Sequence, residues 1–442
     1  MSIAEAKLKP DSAHNLWLPM LVIAILFFLF GFVTWLNGSL IPFLRIVCEL
    51  NEFQALLVTF AFYIAYVVMA LPMSSLLDRI GFKKGMVAGL GIMIIGALSF
   101  IPAALSAHYG LFLLALFVLG TGLTILQTAS NPYLVLLGPP QSAAMRICIM
   151  GLLNKGAGFV VPILFTALIL TGMDEYSTES LAMLSEAERQ SQLDALAHRL
   201  IAPYLWMAGM LGVLTLMVHL APLPEPGGEL RGGEGHQLRR REILAHPQLV
   251  LGVVALFFYV GVEVIAGDTI GLFGQQLGVK YFGALTSYTM AFMMLGYLLG
   301  VLCIPRLLSQ ARGLQLSALA GVAVSLAIVM GDPASEQVSA LILGWADVPL
   351  VPDPVLYVAL LGLANALVWP TVWPLALQGL GRLTATGSAL LIMGIAGGAL
   401  LPLVYGYFAH SLLDSQSAYL MLIPCYGFIL FYAFRGHKIR RW

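Results

Sequence analysis

Twelve apolar runs, each about as long as a bilayer is thick, divide this chain of 442 residues. A helix needs roughly 20 apolar residues to cross the hydrocarbon layer, where a bare N–H or C=O finds no water to satisfy it. Runs of that length fall near 17–44, 53–77, 86–104, 109–137, 145–170, 201–221, 249–274, 285–308, 314–331, 354–377, 383–409 and 417–434. The reading is an all-α membrane protein with twelve transmembrane helices, seated in a lipid bilayer. Composition agrees, since 60% of residues are hydrophobic and only 10% charged, whereas a soluble domain carries about a quarter charged residues. Lys+Arg and Asp+Glu balance at 22 each, so there is no net electrostatic footprint or polybasic tail for nucleic acid, and no such partner is expected. Cys48, Cys148, Cys303 and Cys425 lie on separate apolar runs with no CxxC pair or His-rich cluster, which argues against a zinc site. The polar start MSIAEAKLKPDSAHN precedes a run too long for a signal-peptide core, so that run reads as a retained first span.

Lys and Arg set the expected orientation, because positively charged loops stay cytoplasmic. With the amino terminus inside, cytoplasmic segments hold Lys7, Lys9, Arg79, Lys83, Lys84, Arg146, Arg231, Arg239–Arg241, Arg306, Arg312, Arg382, Arg435, Lys438, Arg440 and Arg441. Outer loops hold only Arg45, Arg189, Arg199 and Lys280. Both termini are therefore expected to be cytoplasmic. The Pro/Gly-rich stretch at 222–248, with PLPEPGG and RGGEG, divides the spans six and six. The domains expected are a bundle at 1–221, a cytoplasmic linker at 222–248 and a second bundle at 249–442. The acidic outer loop at 172–200 should carry a short surface helix, because Ser185 and Glu188 have capping-box spacing. The halves also look alike: SNPYLVLLG and IMGLLNKGAGFVVP in spans four and five match VWPLALQGLG and IMGIAGGALLP in spans ten and eleven, as in a transporter built from repeats.

The loop SSLLDRIGFKKG at 74–85 is similar to the cytoplasmic loop signature of the major facilitator superfamily, G-x-x-x-D-R-x-G-R/K-K/R, with Ser74 in place of the first Gly. The resemblance implies that Asp78 and Arg79 gate the transporter rather than touch substrate. FGFVTWLNGSLIPFL (30–44), NEFQALLVTFAFYIAY (51–66), LQTASNPYLVLLGP (126–139), YVGVEV (259–264) and WPTVWPLALQGLG (369–381) resemble the fucose permease and bacterial glucose/galactose permease branch. That resemblance implies two six-helix bundles that alternate access to a monosaccharide, a bacterial inner-membrane location and a monomer.

Buried polar residues support the same reading independently. Neutral, hydroxyl-rich ligands need amide donors and acceptors, with flat aromatic faces against their C–H surfaces. Candidate substrate-binding residues are Asn37, Gln127, Asn131, Asn154 and Asn365, with Trp35, Trp369 and Trp373, which sit well inside their spans rather than at membrane boundaries. Asn365 is expected to open the tenth span. Amides that only bond neighbouring helices account for about one in three such positions. Lys155, Glu263 and Asp268 are the charges at membrane depth and the coupling candidates. On a regular helix the two carboxylates point roughly 140° apart, so one ion could meet both only through a break near Gly267 or Gly271. A structural pair of Lys155 with one carboxylate is the competing reading.

The departures from the fucose permease are informative. Gly38 stands where that permease has Asp, and Gln127 where it has Glu, and those acids are its proton-coupling candidates. The Gln is shared with the glucose/galactose branch, which includes sodium-dependent members, so sodium is the coupling ion first expected, with Asp268 as a possible sodium ligand. No other cofactor is expected. The function expected is hexose uptake, glucose- or galactose-like or an N-acetylhexosamine, by cation symport; a proton symporter or a uniporter is the alternative. A non-transporting sugar sensor finds no signalling domain here. A membrane-embedded enzyme finds no catalytic motif, since all eight His are terminal, in loops or near span ends.

Overall fold

The computed structural model describes residues 17–136, 143–169, 184–223, 243–304, 307–380, 383–412 and 414–442. Most of the expected linker at 222–248 lies outside them. Among the described residues, twelve helices are long and apolar enough to cross a membrane.

The first span is α1 (Trp17–Trp35) and α2 (Asn37–Val47), parted at Leu36. Spans two to five are the single helices α3 (Glu52–Ile80), α4 (Phe82–Ser106), α5 (Tyr109–Leu136) and α6 (Ala143–Ile169). The surface helix α7 (Glu186–His198) leads into the sixth span, α8 (Ile201–Leu220). The seventh span is α9 (Pro247–Asp268), continued after Thr269 by the short α10 (Ile270–Gln276), and the eighth is α11 (Leu285–Cys303). After α12 (Gln310–Met330) and the short α13 (Gln337–Leu343), the tenth span is α14 (Asp353–Asn365) and α15 (Val368–Leu377). The eleventh is α16 (Thr384–Met393) and α17 (Gly397–Leu412), and the twelfth is α18 (Ser415–Ala418) and α19 (Leu422–Phe434). Asn365 thus lies mid-span at a helix break and does not open the tenth span.

Several boundaries follow from local chemistry. Asn51 and Gln54 form a reciprocal capping box that starts α3. Gly81, at φ 85°, makes the turn between α3 and α4 alone, a backbone region that favours glycine. Ser185 and Glu188 form the expected capping box on α7, and the Ser185 hydroxyl and N–H hold the Glu188 carboxyl below its usual range.

The helices sort by face as lipid demands. On α8, Tyr204, Met207, Leu211, Leu214 and Val218 are buried, while Leu205, Trp206, Met210, Val213 and Leu216 are exposed. Such an exposed apolar face would drive aggregation in water, and in a bilayer it is the lipid contact. The two sets of six spans meet along a seam where α6 packs on α11 and α3 on α17. At the end of the seam away from the termini, here the distal end, α2 also packs on α10.

Candidate functional site

The polar side chains of the seam fall into layers, and the deepest is built around Trp35. As the last residue of α1 it stands at the break of the first span. Its Nε1–H donates to Asn154 Oδ1 at 3.3 Å, and Asn154 Nδ2 donates to the Phe27 carbonyl at 3.3 Å. Lys155 Nζ lies 4.3 Å from the centroid of the Trp35 ring and 2.5 Å from Glu263 Oε1. Lys155 belongs to α6 and Glu263 to α9, so the ion pair joins the two halves. Both residues are 8% exposed. The indole is wedged between glycines: a Cβ on Gly158 would stand 2.6 Å from Trp35 Cδ1, and one on Gly267 would collide with the ring. Trp35 is therefore a seal within the seam.

A second layer lies towards the distal end. Asp268, fully buried, accepts from Thr59 Oγ1 at 2.8 Å through Oδ2. Its Oδ1 has no hydrogen-bond partner among the described residues. Thr59 is on α3, so this contact also crosses between the halves. The helix α9 runs unbroken through both carboxylates and breaks only at Thr269, so Glu263 and Asp268 reach different partners rather than one ion. Closer to the distal surface, Glu52 accepts from Gln276 Nε2 and from Ser415 Oγ, the latter at 3.0 Å. Ser39 Oγ donates to the Gly283 carbonyl at 2.5 Å. Gly38 is at a close approach of the halves, where an added Cβ would collide with Thr286 Oγ1 and stand 2.8 Å from the Gly267 carbonyl oxygen. The distal end is thus closed.

The remaining candidates are distributed along the seam spans. Gln127 Nε2 donates to the Tyr66 hydroxyl at 3.0 Å. Asn37 is 2% exposed, and its Nδ2 has no partner among the described residues. Asn365 accepts from the Tyr426 hydroxyl at 2.9 Å, with its own Nδ2 unpartnered. Trp369 lies 5.5 Å from Trp373 and 6.2 Å from Tyr259, ring centre to ring centre, which makes an aromatic wall on the second half. Trp373 Nε1 is buried and unpartnered. The side chains of Asn131 and Asp78 lie outside the described residues. Arg79 is exposed in the last turn of α3, far from the polar layers. No cluster of three His, Cys, Asp or Glu suited to a metal occurs among the described residues.

Sequence reasoning passed over Thr59, Tyr66 and Glu52. With Tyr63 they are spaced 52, 59, 63 and 66, one stripe of a helix. Its first two members reach across to the second half, Tyr63 lies against Gly398, and Tyr66 holds Gln127.

A seam between two six-helix halves, broken spans at its centre and buried polar layers across it describe a carrier. A family model for the Major Facilitator Superfamily matches residues 23–402. The chain belongs to that superfamily. It is accordingly a multi-pass membrane transporter rather than an enzyme. It is 34% identical over 440 residues to a glucose/galactose transporter of Brucella abortus, covering 97% of this chain and 96% of that one. It is 27% identical over 438 residues to the L-fucose-proton symporter of Escherichia coli K12, covering 94% and 92%. Among solved structures, the superfamily transporter FucP in its outward conformation matches with a TM-score of 0.70 at 24% identity, over 95% of this chain and 98% of that chain.

Proposed function

We propose that this transporter carries a hexose of the glucose/galactose class together with a monovalent cation. The two halves rock about the seam of a bacterial inner membrane with both termini in the cytoplasm. The observation that carries the coupling is Asp268, a fully buried carboxylate held across the seam by a hydroxyl and, among the described residues, by no cationic side chain. Burying such a charge is costly unless a cation neutralises it. The sugar assignment rests on the glucose/galactose transporter of Brucella abortus and on the neutral donors and aromatic faces of the seam. Asn37 Nδ2, Asn365 Nδ2 and Trp373 Nε1 have no partner among the described residues, and sugar hydroxyls offer acceptors to such groups. Asn154, Gln127, Asn131 and the Trp369–Trp373 wall complete the proposed set, and Asp78 with Arg79 is the proposed gate.

A proton makes the smaller demand on Asp268, because sodium needs several further oxygen ligands. The symporter of Escherichia coli is named for the proton, while the sodium expectation rested on Gly38, on Gln127 and on the sodium-dependent members of the branch that shares this Gln. Those two residues remove the carboxylates of the first and fourth spans, and Asp268 relocates the exchangeable charge to the seventh. We therefore place the proton first and sodium second.

Purified protein in proteoliposomes tests the reading with a panel of D-glucose, D-galactose, L-fucose and N-acetyl-D-glucosamine under imposed proton or sodium gradients. D-Glucose or D-galactose should accumulate with an inward proton gradient. Uptake that follows sodium alone would reassign the ion. Uptake indifferent to both gradients would make the protein a uniporter, and failure to move any hexose would remove the substrate class.

A further inference from the structure

We infer that Thr59 is the residue that allows Asp268 to release its cation while the distal end stays shut, so that it sets the rate of net transport without touching sugar. The inference rests on the proposal that Asp268 binds the coupling cation. In a symport cycle the cation must leave Asp268 on the side opposite to the one it entered. During that step the distal seam is closed, as it is here, with Asp268 fully buried. Without a donor, the bare carboxylate would be left in a dry site and the cation would be retained. Thr59 Oγ1 supplies the donor at 2.8 Å, and a hydrogen bond to a charged acceptor is about twice as strong as one between neutral groups. Thr59 donates to Oδ2, and the second oxygen, Oδ1, has no partner among the described residues that could serve instead.

Position explains why the contact is made only with the end shut. Thr59 and Glu52 lie on one face of α3 two turns apart, and Glu52 holds Gln276 and Ser415 at the same end. Thr59 belongs to the first half and Asp268 to the second. Opening the distal end separates them together with the Glu52 contacts. The donor is therefore withdrawn in the state that loads the cation and returned in the state that unloads it. Thr59 is a positioning residue that acts through the carboxylate.

This role separates two measurements that a packing role would move together. Net uptake of D-glucose or D-galactose requires the unloaded carrier, whereas exchange of labelled for unlabelled sugar at saturating cation does not. Thr59→Val removes the hydroxyl and keeps the shape. It should slow net uptake about tenfold, as loss of one charge-assisted hydrogen bond does, and leave exchange within about twofold. Thr59→Ala should behave the same way, and Thr59→Ser should restore net uptake. In an Asp268→Asn background, which should move sugar only down its gradient, adding Thr59→Val should change nothing further, because the donor no longer has a charge to stabilise. Equal loss of uptake and exchange, failure of Thr59→Ser to rescue, or an undiminished effect in the Asp268→Asn background would each reduce Thr59 to a packing residue. Cation-driven accumulation by Asp268→Asn itself would overturn the ion assignment and this inference with it. An unaffected Thr59→Val beside an uncoupled Asp268→Asn would overturn this inference alone.

Discussion

Two carboxylates five residues apart on α9 both reach across the seam, and their surroundings differ in one respect. Glu263 meets a cation: Lys155 at 2.5 Å, covered by the Trp35 ring. Among the described residues, Asp268 meets only the Thr59 hydroxyl. The Glu263 layer is electrically closed. Its charges cancel within the protein, the indole keeps water from them, and no ion is needed for the halves to stay together. The Asp268 layer is open by one charge, which inside the protein is met by the Thr59 hydroxyl rather than by a cation. The same helix thus presents one carboxylate paired with a cation and one held by a hydroxyl, and the difference is set by what faces it on α6 and α3.

The largest effects should come from breaking the lock. Removing one partner of a buried ion pair strands the other charge, at a cost of ~3–5 kcal/mol. Lys155→Met and Glu263→Gln should each lower thermal stability in detergent by about that amount and abolish transport. The double variant Lys155→Met/Glu263→Gln should recover most of the stability, because no charge is then left unpaired. Recovery of full stability by either single variant would show that the pair is not a lock.

A middle-sized effect is expected where the departure from the fucose permease lies. Gly38→Asp would restore that permease's acid, but its Cβ would collide with Thr286 Oγ1. Overpacking of this kind costs ~1–3 kcal/mol, paid only when the distal end is closed. Distances between labels on the two halves at that end should lengthen. Unchanged distances would mean that the approach of α2 to α9 and α11 is not what keeps this position small.

The smallest change in stability should come from the other carboxylate. Asp268→Asn conserves size and removes a buried charge that has no cationic partner among the described residues, so unfolding should hold its position or move upward. The contrast with Glu263→Gln, made on the same helix by the same chemical change, sharpens the comparison. Two large losses would make both layers structural locks.

How far the sequence anticipated this arrangement follows from the same physics. The spans were legible because lipid enforces length and apolarity, and the helices run slightly past them because α3 continues through Arg79 to Ile80 before Gly81 turns the chain. The Lys155–Glu263 pairing was legible as one of two readings, since few charges lie at membrane depth and a lysine there seeks a carboxylate. The breaks at Leu36 and Ala366–Leu367 were not, because no proline stands at either of them, whereas a break in the seventh span was allowed near Gly267 or Gly271 and falls between them at Thr269. Asn365 was misplaced for that reason. Thr59 and Tyr66 escaped notice because hydroxyls are common in apolar helices and usually bond their own backbone, as Thr121, Thr124 and Thr128 do here. The packing of α3 on the second half singles out Thr59, and the contact with Gln127 on α5 singles out Tyr66.

The central claim is that a cation at Asp268 and a sugar at the seam favour the same state of the protein. Linkage then requires each ligand to tighten the other by the same factor. The most direct measurement is calorimetric titration of D-glucose or D-galactose into detergent-purified protein across a range of pH and of sodium concentration, for the native chain and for Asp268→Asn. The account predicts that sugar affinity in the native chain rises about tenfold as the effective cation saturates, and that Asp268→Asn binds sugar with an affinity independent of that cation. The same cation dependence in both proteins would contradict it.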